Sequence, residues 1–508
     1  MESFAKSPKS FGIDAMLQYA GSSVQLFSGM MFYIITARLF PPDGVGAIAL
    51  FMAIVNLFNV IFSLGLGKAA QHFTSFGIGR GDFSSVRDTI NRILRYGFLL
   101  SVVGFATLFF FSPAISSVFF HSNHYTGLIR LLSVVLLGNV LFGILNGTLL
   151  GMQNFRLSAV LNIAIWVVYY FGALLLVIYG KSLIYIIIGW SIGITIGVFM
   201  EIIAVSASLR KYKGLGKATA STNILGYSFP IFLSGLITYG ATSVDKFIVS
   251  GFLTLFSMGI YNFSLLISSS IGFIVTPFNN ILLPKFSELY GTGQLDRIRE
   301  ISSLSSVLLS YFFVPVALGI AALAPLVLII LGGPMYLPAV LPLRIILFVS
   351  TLFVSENVLA LIIASVKRTR LFLYSSLCGL LSNVAISYIL VPRYGLPGAA
   401  FGLSSVYIVI FSVLYFFTGR EKYVSLGIRG QTKVWSSGVA MFLVLITLMG
   451  LSGNNLLFIP FYVLAGMLVY ISLTKALRVF GRNQSDQIRL LLPSRLPFVN
   501  KLLDFLVS

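Results

Sequence analysis

The stretch "LGYSFPIFLSGLITYGATSVDKFIVSGF" at residues 225–252 is uncharged throughout, except for the adjacent residues Asp245 and Lys246. It is longer than the roughly 20 residues that a helix needs to cross the hydrocarbon core of a bilayer. Similar runs recur along the whole chain of 508 residues, of which 57% are hydrophobic and only 9% are charged. Soluble proteins carry about a quarter charged residues. The chain is therefore predicted to be an all-α polytopic membrane protein.

Counting the apolar runs between breaks predicts about 14 transmembrane helices, and an even number places both termini on one side of the membrane. Two of the runs, 256–284 and 302–331, are unusually long. They contain Pro277, Pro315 and Pro325. Because proline interrupts the hydrogen bonding of a helix, these two spans are expected to be kinked or tilted.

The net charge of +20 is distributed unevenly along the chain. Most of the 34 lysines and arginines lie in the N-terminal segment, in every second loop and in the C-terminal tail, whereas opposite loops such as "SPAISSVFFHSNHYT" (112–126) carry none. This asymmetry is typical of cytoplasmic loops. It predicts a multi-pass protein of the plasma membrane with both termini cytoplasmic. The basic loops are expected to face anionic inner-leaflet lipids, and nucleic acid is not an expected partner.

Several landmarks repeat at an almost constant spacing. Gly46 corresponds to Gly259, Arg156 corresponds to Arg370, and a Tyr-Gly pair occurs at 179–180 and again at 394–395. An even number of helices in each copy gives both copies the same orientation, as in transporters built from parallel repeats. The predicted parts are an N-terminal lobe of helices 1–6 (1–222), a C-terminal lobe of helices 7–12 (223–430), helices 13 and 14 (431–477), and a basic amphipathic cytoplasmic tail (478–508).

Three segments resemble one transporter family. "MMFYIITARLFPPDGVGAIALF" (30–51) is similar to its first-helix signature. The stretch from 225 to 264 resembles the start of its second half, and "NNILLPKFSELYGTGQLDRIRE" (279–300) resembles the loop after its eighth helix. The chain thus resembles the oligosaccharide flippases of the multidrug/oligosaccharidyl-lipid/polysaccharide exporter superfamily.

The resemblance implies a flippase that works by alternating access and has no cofactor. Its substrate would be an oligosaccharide on a polyprenyl phosphate or diphosphate, which moves from the inner to the outer leaflet. Such glycans serve surface polysaccharide, cell-wall or N-glycan assembly, so glycan-assembly enzymes are possible partners. Two alternatives stay open: a cation-coupled small-molecule or drug antiporter of the same superfamily, and a membrane glycosyltransferase or ligase. The longest loop (67–92) is short for the catalytic site of such an enzyme.

Charges at membrane depth are costly and are therefore the first candidates for function. The basic candidates for a phosphate or glycan cavity all lie in the outer part of the predicted spans. They are Lys246, Arg38, Arg130 and Arg344. The three arginines lie near helix ends, where their side chains can also reach the interface. The acidic candidates for ion coupling or for a structural role are Asp245 and Glu356, whereas Asp14 and Glu201 lie at cytoplasmic helix ends, where simple solvation would account for them.

Adjacent residues on a helix point about 100° apart. Asp245 and Lys246 therefore need different partners, and we expect Asp245 to anchor its helix while Lys246 faces the cavity. His121 and His124 alone are too few ligands to predict a metal site. The sequence contains no arrangement of nucleophile and base that would predict catalysis.

Overall fold

The computed structural model describes residues 8–210, 223–419, 421, 423–453 and 455–480. Every regular element in these ranges is helical, which confirms the all-α prediction. A helix satisfies its backbone hydrogen bonds internally, and this is what a segment in hydrocarbon requires. The chain divides into two compact units, residues 1–259 and 260–508.

The first unit contains nine helices and the start of a tenth. They are α1 (Pro8–Leu39), α2 (Pro42–Ser63), α3 (Leu66–Arg80), α4 (Phe83–Phe110), α5 (Ser112–Phe120), α6 (Thr126–Gly151), α7 (Phe155–Gly180), α8 (Leu183–Leu209), α9 (Ile224–Phe252) and α10 (Leu255–Ser270). Its core includes an aromatic group in which the rings of Tyr169 and Trp190 stack with centroids 5.6 Å apart. Phe32 of α1 packs against the same tryptophan.

The second unit holds the end of α10 and nine further helices. They are α11 (Thr276–Gly291), α12 (Leu295–Ala322), α13 (Ala324–Leu331), α14 (Val340–Ser350), α15 (Phe353–Ser365), α16 (Arg370–Tyr394), α17 (Leu396–Thr418), α18 (Ile428–Ser452) and α19 (Ile459–Ala476). One apolar core of this unit runs along α12, α18 and α19.

Among the described residues, 12 helices are long and apolar enough to cross a membrane, or 13 if α14 with its preceding turn and α15 form one span bent by 42°. The chain is thus a multi-pass membrane protein. The predicted count of fourteen is not confirmed, since α1 is not among these helices. The lobe boundary predicted at 222 and 223 remains a prediction, and packing groups α9 with the helices before it. The predicted tail lies outside the described residues from 481 onward.

The two glycines that the repeat pairs contact each other. A Cβ on Gly46 would lie 1.9 Å from the carbonyl oxygen of Leu255, and a Cβ on Gly259 would lie 2.0 Å from that of Pro42. α2 and α10 therefore cross with their backbones in contact, and only glycine leaves room for this at either position.

Candidate functional site

A polar cavity of about 270 Å³ lies in the first unit, where α2, α3 and α6 meet. We call it the α2–α6 cavity. Its polar side chains are three asparagines, a glutamine, a serine and a lysine, in a chain that is otherwise largely apolar. The lining residues are Asn59, Ser63, Gly65, Gly67, Lys68, Gln71, Asn139, Val140, Gly143, Ile144, Asn146, Gly147 and Leu150.

A sharp break between α2 and α3 shapes the mouth of this cavity. Leu64 and Gly65 both adopt left-handed backbone conformations, with φ of 43° and 70°, so α2 ends and α3 starts in a new direction. Beyond the break, a Cβ on Gly147 of α6 would lie 2.1 Å from the carbonyl oxygen of Gly67. Glycine thus lets α3 and α6 approach backbone to backbone, which brings their polar side chains around one space.

A buried acid lies directly behind the cavity. Asn146, which lines the cavity, donates through Nδ2 to Oε1 of Glu201 on α8 over 2.8 Å and to Oγ of Ser158 on α7 over 3.1 Å. Glu201 is 0% exposed, and its Oε2 has no hydrogen-bond partner among the described residues. A carboxyl group buried in this way is expensive, so its retention marks it as a functional candidate.

The expectation that Glu201 is solvated is wrong. The acid lies two turns inside the end of α8, on a face that packs in the helix bundle rather than against water. The sequence signal for its partner was present but weak, because Asn146 is one of many amides and hydroxyls in apolar runs. Sequence reasoning therefore missed the group formed by Asn146, Ser158 and Glu201.

The two charged residues of α9, Asp245 and Lys246, lie in different environments. Asp245 is 0% exposed and lies on a buried stripe with Ala241 and Val249, spaced four residues apart, whereas Lys246 is half-buried. Nearly two turns before the charge pair, the Tyr239 hydroxyl donates to the Ala53 carbonyl oxygen of α2 over 2.6 Å. This helix is therefore anchored to α2 on the side that precedes the charge pair.

The other two basic candidates of the first unit are exposed and lie on different helices. Arg38 is in the last turn of α1. Arg130 of α6 donates through Nε to Ser112 Oγ over 3.3 Å, and its guanidinium lies 5.5 Å from the ring centre of Phe109. Arg130 lies near the start of a candidate membrane span, a position from which an arginine side chain can reach the interface.

Arg344 has a structural partner in the second unit. Its Nε donates to the carbonyl oxygen of Ala321 over 3.0 Å and its Nη2 to that of Ala322 over 3.4 Å. These are the last two residues of α12, whose final carbonyls have no partner within the helix. A cation at the negative end of the helix dipole also interacts favourably with it. Arg344 therefore caps α12.

Glu356 lies in the first turn of α15, just after the bend that separates this helix from α14. Its Oε2 is buried without a hydrogen-bond partner among the described residues, and the same is true of Asn357 Oδ1. On the next residue towards α14, Ser355 Oγ donates to Gln431 Oε1 over 2.9 Å. The bend thus holds a carboxyl and an amide oxygen that lack donors.

An apolar groove of about 450 Å³ lies between α12, α18 and α19. Its tyrosine hydroxyls are occupied: Tyr470 donates to the carbonyl oxygen of Tyr311 over 2.9 Å, and Tyr462 hydrogen-bonds Ser452. The rest of the wall is aliphatic or aromatic, so the groove presents a surface suited to hydrocarbon.

No group of three or more metal-ligating side chains occurs within the described ranges. His121, which together with His124 is too small a ligand set to predict a metal site, places Nε2 3.0 Å from the carbonyl oxygen of Ser250 in the last turn of α9.

A family of known proteins and one curated relative match the sequence of this chain. Residues 35–341 match the model of a family described as "Polysaccharide biosynthesis protein". A curated membrane protein of Methanocaldococcus jannaschii, itself uncharacterised, is 25% identical over 416 residues, which cover 77% of this chain and 94% of that protein.

Several solved structures of membrane proteins share the fold. The lipid II flippase MurJ in an inward closed conformation superposes with a TM-score of 0.69 at 18% identity, covering 91% of this chain and 98% of that one. An inward-facing multidrug resistance transporter of the MATE family superposes with a TM-score of 0.65 at 14% identity, covering 80% of this chain and 98% of that one. A MOP superfamily transporter from Pyrococcus furiosus superposes with a TM-score of 0.57 at 14% identity, covering 80% of this chain and 94% of that one.

Proposed function

The chain belongs to the polysaccharide biosynthesis protein family, and from this premise we propose that it flips a polyprenyl-(di)phosphate-linked oligosaccharide from the inner to the outer leaflet. The observation that carries the proposal is the likeness to the lipid II flippase, which extends over 91% of this chain and 98% of that structure. The named proteins among the matches are flippases and transporters rather than enzymes, so a glycosyltransferase or ligase activity is not proposed.

The substrate makes opposite demands on its carrier. Its phosphate and sugars cannot cross about 30 Å of hydrocarbon unaided, whereas its apolar polyprenyl tail dissolves in the hydrocarbon core. The α2–α6 cavity offers amides, a hydroxyl and a lysine. The groove along α12, α18 and α19 offers an apolar wall. One chain thus contains a polar and an apolar surface of the kinds that a lipid-linked glycan needs.

The charge distribution supports a location and an orientation. We place the protein in the plasma membrane with its basic loops and both termini in the cytoplasm, beside anionic lipids of the inner leaflet. In this orientation the substrate is loaded on the cytoplasmic side, where glycan-assembly enzymes would deliver it. Alternating access then exposes the glycan to the outside.

The proposal is tested with purified protein in vesicles that contain a fluorescent lipid-linked oligosaccharide. Reduction of the fluorophore by an added impermeant reagent should rise from about half, the outer-leaflet share, towards completion when the protein is present. Vesicles with correctly folded protein that stay at the protein-free value for several glycan types would rule out the flippase function. Parallel vesicles with a fluorescent phosphatidylcholine control for leakage and for general scrambling.

Two neighbouring substitutions separate transport from folding. We propose that Lys246 contacts the substrate phosphate, together with Arg38 and Arg130, and that Asp245 anchors α9. Lys246→Gln should slow flipping without lowering the unfolding temperature, whereas Asp245→Asn should lower it, because Asp245 is fully buried. Normal flipping by the Lys246→Gln variant would make the pair purely structural.

A specific observation favours a second candidate, a cation-coupled antiporter. Glu201 and Glu356 each hold a buried carboxylate oxygen that has no hydrogen-bond partner in the described part of the chain. Such an oxygen can take up a proton or an alkali cation, and either acid could couple a gradient to transport. Uptake of a fluorescent cationic drug that is driven by a proton or sodium gradient, and is lost in Glu356→Gln, would support this candidate. The same gradient dependence in the flipping assay would instead give the acids a coupling role in the flippase.

A further inference from the structure

The α2–α6 cavity carries an inference that rests on the proposed function and deepens it. Among the residues that the structure describes, its wall contains one basic side chain, Lys68, and no carboxylate. Glu201 lies behind Asn146 rather than in the lining. The lining is therefore suited to a ligand that combines negative charge with neutral polar groups.

The amides of the cavity present acceptors. Asn146 directs its NH₂ group to Glu201 and Ser158, so its carbonyl oxygen lies on the opposite side of the amide. Asn59 Oδ1 is buried and has no hydrogen-bond partner among the residues that the structure describes. A ligand with hydroxyl donors would relieve the cost of leaving this acceptor unpaired once the Asn59 amide turns towards the cavity.

The start of α3 presents donors. Lys68 is exposed at the cavity, and the N-cap residue of this helix, Gly65, offers no side chain to the first-turn N–H groups. Both residues line the cavity. A helix N-terminus beside a lysine favours a phosphate, since the backbone dipoles and the ammonium group add.

We propose that the α2–α6 cavity binds the sugar phosphate of the lipid-linked substrate, with Lys68 and the α3 N-terminus on the phosphate and with Asn59 and Asn146 on hydroxyls of the first sugar. The volume of about 270 Å³ suits a single sugar ring with its phosphate rather than a whole oligosaccharide. This subsite selects the reducing-end sugar and leaves the remainder of the glycan outside the cavity.

The test uses cysteine protection. Cys378 is the only cysteine of the chain, so Cys378→Ser gives a background without thiols. Gly143→Cys then introduces one at the cavity, where an added Cβ meets no atom within 4 Å. Gly127→Cys on the same helix, also unobstructed, is the matched control outside the cavity. Gln71→Cys reports the same cavity if Gly143→Cys does not fold.

Labelling by N-ethylmaleimide is followed in detergent with decyl glucosyl phosphate, decyl glucoside or decyl phosphate as the probe. Decyl glucosyl phosphate should slow labelling of the Gly143→Cys variant by about tenfold when its concentration is ten times Kd. The two partial probes should protect more weakly, and the Gly127→Cys variant should not be protected. Lys68→Gln should weaken protection by the phosphate-containing probes by about tenfold and leave that by decyl glucoside unchanged.

Equal labelling with and without decyl glucosyl phosphate overturns the proposal, even if the vesicles flip the lipid-linked oligosaccharide. Protection by phosphatidylglycerol vesicles without protection by decyl glucosyl phosphate also overturns it, and assigns the cavity to a bulk lipid head group. Protection that persists while vesicles fail to flip supports the subsite and removes the flippase function instead. The failures of the two proposals are thus distinguishable.

Discussion

Replacing Arg344 with alanine should destabilise the second unit, because this side chain caps α12. The Nε bond to Ala321 is 3.0 Å long and the Nη2 bond to Ala322 is 3.4 Å long. A hydrogen bond from a charged group contributes about 1.5–3 kcal/mol, and a cation at a helix C-terminus contributes about 0.3–1 kcal/mol. With the second, longer bond given half weight and the helix C-terminus included, Arg344→Ala should lower the free energy of unfolding by about 2.5–5.5 kcal/mol.

The measurement is the unfolding temperature of the purified protein in detergent. A loss of about 2.5 kcal/mol corresponds to a decrease of about 5–10 °C for a unit of this size. Arg344→Lys keeps the charge but loses the planar fork that reaches two carbonyls, so it should recover about half of the decrease. Arg130→Ala is the matched control: this arginine is exposed and its bond to Ser112 is 3.3 Å long, so we expect a change below about 1 kcal/mol.

The opposite pattern would refute the reasoning. If Arg344→Ala unfolds at the wild-type temperature but flips the lipid-linked oligosaccharide slowly, the guanidinium binds the substrate phosphate rather than the end of α12. The capping role would then be wrong, and the function predicted from the sequence for this arginine would be supported.

Three further predictions test the packing, the buried acid and a surface ion pair. Gly46→Ala should lower the free energy of unfolding by at least about 1–3 kcal/mol, because its Cβ would overlap the Leu255 carbonyl oxygen, whereas Gly127→Ala on an open face should be tolerated in the same thermal assay. Glu201→Leu removes the Glu201 acceptor of the Asn146 NH₂ group and should therefore cost about 1–3 kcal/mol more than Glu201→Gln. Equal unfolding temperatures of the two variants would contradict the hydrogen bond between Asn146 and Glu201. Glu421→Gln should change stability by less than about 1 kcal/mol at any salt concentration, although Glu421 raises the pKa of Arg368, because the pair is exposed at the surface.

Much of the helical framework could be predicted from the sequence, because apolar runs and prolines have direct consequences in a membrane. The long run at 256–284 is divided before α11, which has Pro277 in its first turn, and that at 302–331 is divided before α13, which has Pro325 in its first turn. Pro315 lies inside α12 without ending it. The bend between α14 and α15 falls at Thr351 and Leu352, where neither glycine nor proline marks it.

Charged residues in the spans could be found from the sequence because they are rare, but their partners could not. Arg344 is conspicuous in an apolar run, yet its acceptors are backbone carbonyls of α12 more than twenty residues away, which any sequence would supply. The α2–α6 cavity was missed for the opposite reason. Its amides, glycines and serine are common residue types in these helices, and only the turn at Leu64 and Gly65 brings them together.

Asn146, although a common residue type, connects the α2–α6 cavity to the buried carboxyl of Glu201. Its NH₂ group is committed to Glu201 and Ser158, which ties α6 to α7 and α8, while its side chain also lines the α2–α6 cavity. A ligand that bonds this amide from the cavity therefore acts on the same group that holds a buried carboxyl. Because one amide serves both, we expect a change in the charge of Glu201 to alter the hydrogen-bonding strength of Asn146 towards the cavity. A polar cavity and a buried acid that share one asparagine are thus a physical route by which a cation gradient could regulate the affinity for a sugar phosphate.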